Sequence, residues 1–446
     1  MIPILDRWDS KTLANSYEHS AVPVSAELAE DSALRKAAWR LIPLMTVCFV
    51  LNYIDRTNIG FAALTMNRDL RLSTEMFGWG AGILFFGYCF FEVPSNILLY
   101  RFGARIWLAR IMITWGLLSA ATALVVGPKS FYVVRFLLGV AEAGFNPGVM
   151  FFFMAWFPRR FRSRAMAWFQ MAIPLSAVVA GPLCASIMQI DGLLGIAGWQ
   201  WIFIIEGLPA TILGIVLLIV LVDRPGDARW LSPQESQALT DAVSREPRAH
   251  ASKDLRSVLR DPRIFVLSAL QFGFTMGSYG ITIFLPQILR EHHLSILSIG
   301  LLSAVPYLCG CVATILWAGA VDRKGHRIAN LAATCTLGAA GLLVSIWVPS
   351  LSVAMIGLTI AIVGVTSARG IFWSIPPQLL AGQGAASGLA LISSIGAFGG
   401  FLGPVLMGWL KTATGSFSAG LVCMAALIAL SGALTALLPA LLRTKS

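Results

Sequence analysis

Twelve stretches of this chain are almost continuously apolar: residues 41–66, 76–100, 106–126, 131–157, 165–188, 200–222, 264–289, 296–320, 328–348, 351–376, 386–410 and 417–441. Each is close to the roughly 20 residues that a helix needs to cross a bilayer. Polar residues gather between the stretches instead of alternating within them, so the period-two pattern of a membrane β-barrel is absent. Internal Gly and Pro, present in most of the stretches, are tolerated in spanning helices. The pattern predicts an all-α integral membrane protein with twelve transmembrane helices. The first 34 residues hold Asp6, Arg7, Asp9, Lys11, Glu18, Glu27, Glu30 and Asp31 and no apolar core ahead of a cleavage site. They read as a soluble tail, 1–38, and not as a signal peptide; a second short tail is expected at 443–446.

Composition supports the pattern. The chain of 446 residues is 57% hydrophobic and 12% charged, against about 45–50% and about 25% for soluble domains. That leaves too little polar surface for a string of soluble domains and excludes disorder. Seven cysteines are too few for a disulfide scaffold of this length. The net charge of +11 is spread over short connections, which reads as membrane topology and not as a nucleic-acid surface. With the N-terminus in the cytoplasm, 25 of the 33 Lys and Arg lie on the cytoplasmic side and 5 outside. This positive-inside bias places both termini in the cytoplasm. The remaining 3, Arg56, Arg135 and Arg369, fall within spans.

Residues 223–262 carry 14 Asp, Glu, Lys and Arg and four prolines. They read as a cytoplasmic linker, with a surface helix over Pro233–Val243, between a six-helix half at 39–222 and a second at 263–442. The halves repeat: Arg101-Phe102-Gly103-Ala104-Arg105 and Arg323-Lys324-Gly325-His326-Arg327 share an offset of 222 with Gly181-Pro182 and Gly403-Pro404, and with Gly116 and Gly338. Two related six-helix halves imply alternating access to a site between them.

The loop Asp322-Arg323-Lys324-Gly325-His326-Arg327 resembles the signature loop of the major facilitator superfamily, although Tyr100 stands where the first-half copy usually has Asp. Within that superfamily, Asn52-Tyr53-Ile54-Asp55-Arg56-Thr57-Asn58, Glu92-Val93-Pro94-Ser95-Asn96 and Gly139-Val140-Ala141-Glu142-Ala143-Gly144 resemble the anion:cation symporter family. The resemblance covers residues 38–442. It implies the major facilitator fold and uptake of organic carboxylates, such as sugar acids, tartrate or aromatic acids, with protons.

Ionisable groups inside spans are costly and point to function. Asn52, Asp55 and Arg56 share a helix face at spacings i, i+3 and i+4, with Asn58 off it. The pair Asp55–Arg56 reads either as a structural ion pair or as a proton acceptor beside a substrate anchor. Arg suits a carboxylate because its planar fork matches it bidentately. Arg135 and Glu142 lie two turns apart on one face; Asp55 is the expected partner of Arg135. The resemblance assigns proton coupling to Asp55 and Glu142, with Arg135 beside them. It also places Tyr53, Tyr88 and Trp373 at the central cavity.

Arg369 reads equally as a snorkelling side chain or a second substrate contact. Glu206 reads as structural, within reach of the interface. Ser393-Ser394 and Gly396-Ala397 replace amides common in the family, so Ser393 is the substrate contact expected there and a less hydroxylated acid is favoured. The residues Arg101, Gly103, Arg105, Asp322, Arg323, Gly325 and Arg327 are expected to gate, by holding carbonyls and acidic partners of the neighbouring half.

No phosphate-cradling loop, metal-ligand spacing or Ser-His-Asp arrangement is present in the sequence. The expectation is a monomeric transporter of the bacterial inner membrane, not an enzyme. It needs no metal, no nucleic acid and no cofactor, and it draws on the proton gradient. Exchange or proton-driven export on the same fold, and more remotely a non-transporting membrane sensor, are the rival readings.

Overall fold

A computed structural model describes residues 24–245, 261–376 and 385–438. The twelve expected spans are present among them as helices. The first six are built from α1 (Val24–Asp69), α2 (Thr74–Phe102), α3 (Ala104–Ala121), the pair α4 (Pro128–Glu142) and α5 (Phe145–Trp156), the pair α6 (Arg159–Gln170) and α7 (Ala172–Ile187), and α8 (Gly198–Val220). A linker helix, α9 (Pro233–Ser244), precedes the second six: α10 (Pro262–Arg290), α11 (Ile296–Lys324), α12 (Arg327–Trp347), α13 (Leu351–Phe372), α14 (Ala385–Thr414) and α15 (Phe417–Leu434). Two faces result. The linker face carries the connections at 103, 157–158, 221–232 and 325–326; the far face carries the opposite connections.

Helix α1 has 46 residues, about 69 Å at 1.5 Å per residue, and so projects well beyond a bilayer on the linker side. Residues 24–38, expected as tail, are therefore helical. Of the 15 residues in this segment 11 are Ala, Leu, Glu, Lys or Arg, and none is Gly or Pro, a composition that favours helix. Ala33, Leu34 and Ala37 are buried there. Residues 1–23 and 439–446, including the rest of both expected tails, lie outside the described residues.

The fourth span is broken, where the sequence reads as one continuous stretch. α4 ends at Glu142 and α5 starts at Phe145, with Gly144 at φ 89° between them. An L side chain is strained at that φ, and a Cβ there would also come within 2.5 Å of Ser95 Oγ. The break places Glu142 on the last turn of a half-helix at mid-depth, the kind of site where transporter folds form binding positions.

Within the first half, α3 and α8 meet through Gly116 and Gly207; a Cβ on either would lie 2.6 Å from the other's carbonyl oxygen. Such backbone proximity is how helices associate in lipid, where apolar surface alone gives little drive. Between the halves there are two related seams. Gly78 and Gly82 of α2 abut the Pro404 and Phe401 carbonyls of α14, each 2.5 Å from an added Cβ. Gly181 of α7 abuts the Gly300 carbonyl of α11 at the same distance. Both seams lie in the far-face half of the spans and close it. Toward the linker face, α2 presents Phe90, Ile97 and Tyr100 to the outside at 60%, 64% and 79% exposure.

Candidate functional site

Asp55 and Arg56 are adjacent in sequence, but about 100° of helix rotation separates neighbouring residues, and the two side chains leave α1 for different partners. Arg56 turns to the broken span: its Nε donates to Glu142 Oε2 at 2.8 Å, and its guanidinium lies 4.6 Å over the Tyr88 ring. Asn52 donates to the same Glu142 oxygen at 3.2 Å, while Glu142 Oε1 is buried without a hydrogen-bond partner among the described residues. Glu142 is fully buried, whereas the Arg56 side chain keeps 11% exposure. Arg56, Tyr88 and Glu142 thus come together as one cluster.

Asp55 turns to α3. It accepts from Ser119 Oγ, from Trp115 Nε1 at 3.0 Å and from Asn58 Nδ2 at 3.3 Å. Asn58, expected off the polar face, is on the Asp55 side because i and i+3 stack on a helix. It also donates to Glu206 Oε2 at 2.7 Å, and Cys184 Sγ donates to Glu206 Oε1 at 3.2 Å. Glu206 is therefore a buried member of this network and does not reach for the interface. The expected direct pair Asp55–Arg135 is not formed. All three Arg135 side-chain nitrogens are buried and lack a hydrogen-bond partner among the described residues; Asp55 is instead saturated by the neutral donors of α3 and by Asn58.

The second half supplies Arg369. It does not snorkel: its Nη1 donates to Tyr53 Oη at 2.9 Å, across the divide between the halves, and Nη2 donates to Ser278 Oγ at 3.3 Å. Tyr53 and Tyr279 hydroxyls lie 3.4 Å apart, and the Tyr279 ring packs on Phe85 at 4.4 Å between centroids. Tyr279 and Ser278 were not legible as site residues, since α10 carries no charge at mid-depth to draw attention to them.

Trp373 is the first residue beyond α13, which stops at Phe372 and not at the expected 376; the ring is 37% exposed and edge-on to Phe372. Ser393 is half-buried on α14, one residue before Ser394, whose carbonyl accepts from Cys89 of α2. Where amides are missing from α14, α10 brings one: Gln271 packs on Gly396, and its buried Oε1 has no hydrogen-bond partner among the described residues.

This arrangement has cations and carboxylates at mid-depth between two six-helix halves. Residues 45–404 match the profile described as Major Facilitator Superfamily. The chain belongs to that superfamily. A protein of Agrobacterium vitis named "Putative tartrate transporter" is 46% identical over 411 residues, covering 92% of each chain. A "Quinolone resistance transporter" of Acinetobacter baumannii is 38% identical, covering 88% of this chain and 91% of its own. The fold matches the inward-open xylose transporter XylE from E. coli with a TM-score of 0.73 at 14% identity, over 89% of this chain and 95% of that one. The protein is a multi-pass secondary transporter and not an enzyme.

In this transporter Arg105 of the first signature loop finds its partners in its own half and not in the neighbouring one. The Arg105 backbone N–H donates to Asp223 Oδ1 at 2.8 Å and its Nε to the Leu218 carbonyl at 2.7 Å. Both acceptors lie at the end of α8, in the same half. The reason is the tight α3–α8 packing, which sets the basic start of one helix beside the electronegative C-terminus of the other. Gly103 has φ 85°, and a Cβ there would lie 2.8 Å from Asp223 Oδ2. Arg101 lies 5.6 Å over the Phe102 ring. In the second loop Arg323 Nε donates to Gly319 O of its own helix at 3.1 Å, and Gly325 ends α11 at φ 74°. Arg327 begins α12. The Asp322 side chain lies outside the described residues.

The linker helix is fastened to the first half. Glu235 closes a capping box with Ser232 and accepts from Lys36 Nζ at 2.9 Å and Ser32 Oγ at 2.7 Å. Trp230 stacks on Trp156 at 5.4 Å, and the Arg40 guanidinium lies 5.0 Å over the Trp230 ring. The hydrogen bond from Lys36, then that from the Ser232 backbone, lowers the Glu235 carboxyl from 4.5 to about 2. A depressed carboxyl stabilises the folded state above its ordinary value, and that contribution is lost as pH falls through the lowered one. Hydrogen-exchange protection over 233–244, taken relative to the intrinsic rate at each pH, should therefore fall between pH 4.5 and about 2. In Glu235→Gln this acid step should be absent, with exchange already faster at neutral pH.

Proposed function

We propose that this transporter carries a small organic carboxylate together with protons into the cell, across the bacterial inner membrane, with both termini cytoplasmic. The observation that carries the reading is the Arg56–Glu142 pair: a guanidinium bonded through Nε to a buried carboxylate at 2.8 Å, with its terminal fork over Tyr88. An arriving carboxylate takes the fork and competes with Glu142 for the same positive charge. Glu142 then takes up a proton, Asn52 stays beside it, and anion and proton load together. The loaded centre carries less net charge, which lowers the desolvation cost of reorientation. Asp55, held by three donors of its own, is the second protonation site, and Arg135 stands between these carboxylates as the cation without a fixed partner.

The tartrate named for the Agrobacterium vitis relative supports a carboxylate substrate. The distribution of basic residues supports the orientation, with the linker face cytoplasmic. Arg101, Arg105, Arg323 and Arg327, with Gly103, Gly325 and Asp322, brace the cytoplasmic ends of the helices and set the rate of opening. The proton gradient is the energy source, and the working unit is a monomer. A second reading, proton-driven export through the same site, is favoured by the 38% identity to the quinolone resistance transporter.

Binding of tartrate, gluconate and benzoate to purified Arg56→Lys tests the anchor. Lysine keeps the charge and loses the fork, so affinity for the bound acid should fall at least tenfold, about 1.4 kcal/mol. Unchanged affinity removes Arg56 from the binding site.

A further inference from the structure

Arg369 stands in the last turn of α13, and its guanidinium turns inward between the two halves. Its hydrogen-bond partners are the hydroxyls of Tyr53 and Ser278, both neutral. No described carboxylate stands within ion-pair distance of it, whereas Arg56 in the first half is paired with Glu142. A partly buried cation without a counter-ion is costly to hold in a spanning segment. A spanning segment retains such a charge when it is put to use.

The position of this charge narrows the use. Arg369 grips Tyr53, and Tyr53 lies three residues before Arg56 on α1, so the two occupy neighbouring positions on one helix face. Tyr279 completes the join: its hydroxyl meets that of Tyr53 at 3.4 Å, its ring lies 6.0 Å below the Arg369 guanidinium, and it is within electrostatic range of both arginines. The site therefore has two guanidiniums, one from each half, within electrostatic range of one pair of tyrosines. One is balanced by protein and the other is not.

We propose that the substrate is a dicarboxylate held end to end between the halves, one carboxylate on Arg56 and the other on Arg369. This deepens the carboxylate reading and rests on it. A second carboxylate supplies the counter-charge that the second half lacks, and Tyr53 and Tyr279 donate to groups between the two ends. Because the arginines belong to different halves, a dianion draws the halves together at mid-depth, whereas a monoanion satisfies one half only. The binding of a dianion is thereby coupled to closure.

Matched pairs of ligands test this. L-Tartrate, succinate and phthalate would each be compared with its own monoamide, which keeps the shape and loses one charge; gluconate and benzoate serve as native monocarboxylates. Binding to the purified wild-type transporter in detergent should favour at least one dicarboxylate over its monoamide by thirtyfold or more. In Arg369→Gln that preference should shrink to less than threefold, chiefly through weaker binding of the dicarboxylate; Arg369→Lys should recover part of it. Arg56→Lys should weaken both members of the pair. Equal wild-type affinity for diacid and monoamide overturns the proposal without any variant, so a misfolded Arg369→Gln does not shield it. Tighter binding of gluconate or benzoate than of every diacid overturns it while leaving the carboxylate reading in place. Failure of all eight acids and amides to bind overturns both.

Discussion

Glu142→Gln should turn a concentrating carrier into an exchanger. The side chain is fully buried, accepts from Arg56 at 2.8 Å and from Asn52 at 3.2 Å, and has one oxygen with no partner among the described residues. Glutamine retains an oxygen for those donors and removes the charge that competes with substrate for Arg56. The variant is thus fixed in the state that protonation gives the wild type. In proteoliposomes, counterflow of labelled acid should persist within about threefold of the wild type, since loaded reorientation needs only neutral Glu142. Accumulation driven by a pH gradient should fall at least a hundredfold, to the background of empty vesicles. Asp55→Asn should show the same separation with a smaller loss of counterflow, because an amide both donates and accepts and disturbs the Ser119 and Trp115 contacts. Retained accumulation in both variants would replace the coupling role with a static network.

How these two carboxylates sit was only half legible in the sequence. Charge in an apolar stretch picks out Asp55, Arg56, Arg135 and Glu142 at once. Their partners do not follow, because partners come from other helices. Asp55 and Arg56 read as one unit, yet a rotation of about 100° per residue sends one to α3 and the other to the fourth span. The break after Glu142 was hidden by the apolar character of residues 131–157, in which Gly144 and Pro147 look like ordinary members of a spanning helix. The bond between Arg369 and Tyr53 joins residues 316 positions apart, and no local pattern announces it. The spans themselves were legible because their length and hydropathy are set by the bilayer, not by packing. The linker helix was legible from Ser232, Pro233 and Glu235, a capping box with Pro at the first turn.

Gly181→Leu should hold the transporter open toward the far face. In the closed seam a Cβ at Gly181 would lie 2.5 Å from the Gly300 carbonyl and would collide with Ser303 Oγ. A backbone carbonyl cannot move aside as a side-chain tip can, so the closed seam bears the overpacking cost, about 1–3 kcal/mol. The open seam does not bear it. The equilibrium between the two states should shift by tenfold or more, and turnover should fall by at least as much, with thermal stability near that of the wild type. Ala177, one turn before Gly181, lines a small cavity between the halves with Thr57, Thr282 and Tyr307. In a cysteine-free background, Ala177→Cys should react with an impermeant maleimide from the far side at least ten times faster when Gly181→Leu is present. Equal labelling and normal turnover would mean that the seam does not form the far gate.

The directional coupling of proton and carboxylate is tested most directly by the lumen of the vesicle. Wild-type transporter is reconstituted with a pH dye inside, at equal pH on both sides and with potassium and valinomycin clamping the potential, and tartrate is then added outside. Symport predicts that the lumen acidifies as tartrate enters, at a rate that follows tartrate uptake and disappears in Glu142→Gln. Tartrate entry without acidification, or with alkalinisation of the lumen, would contradict it.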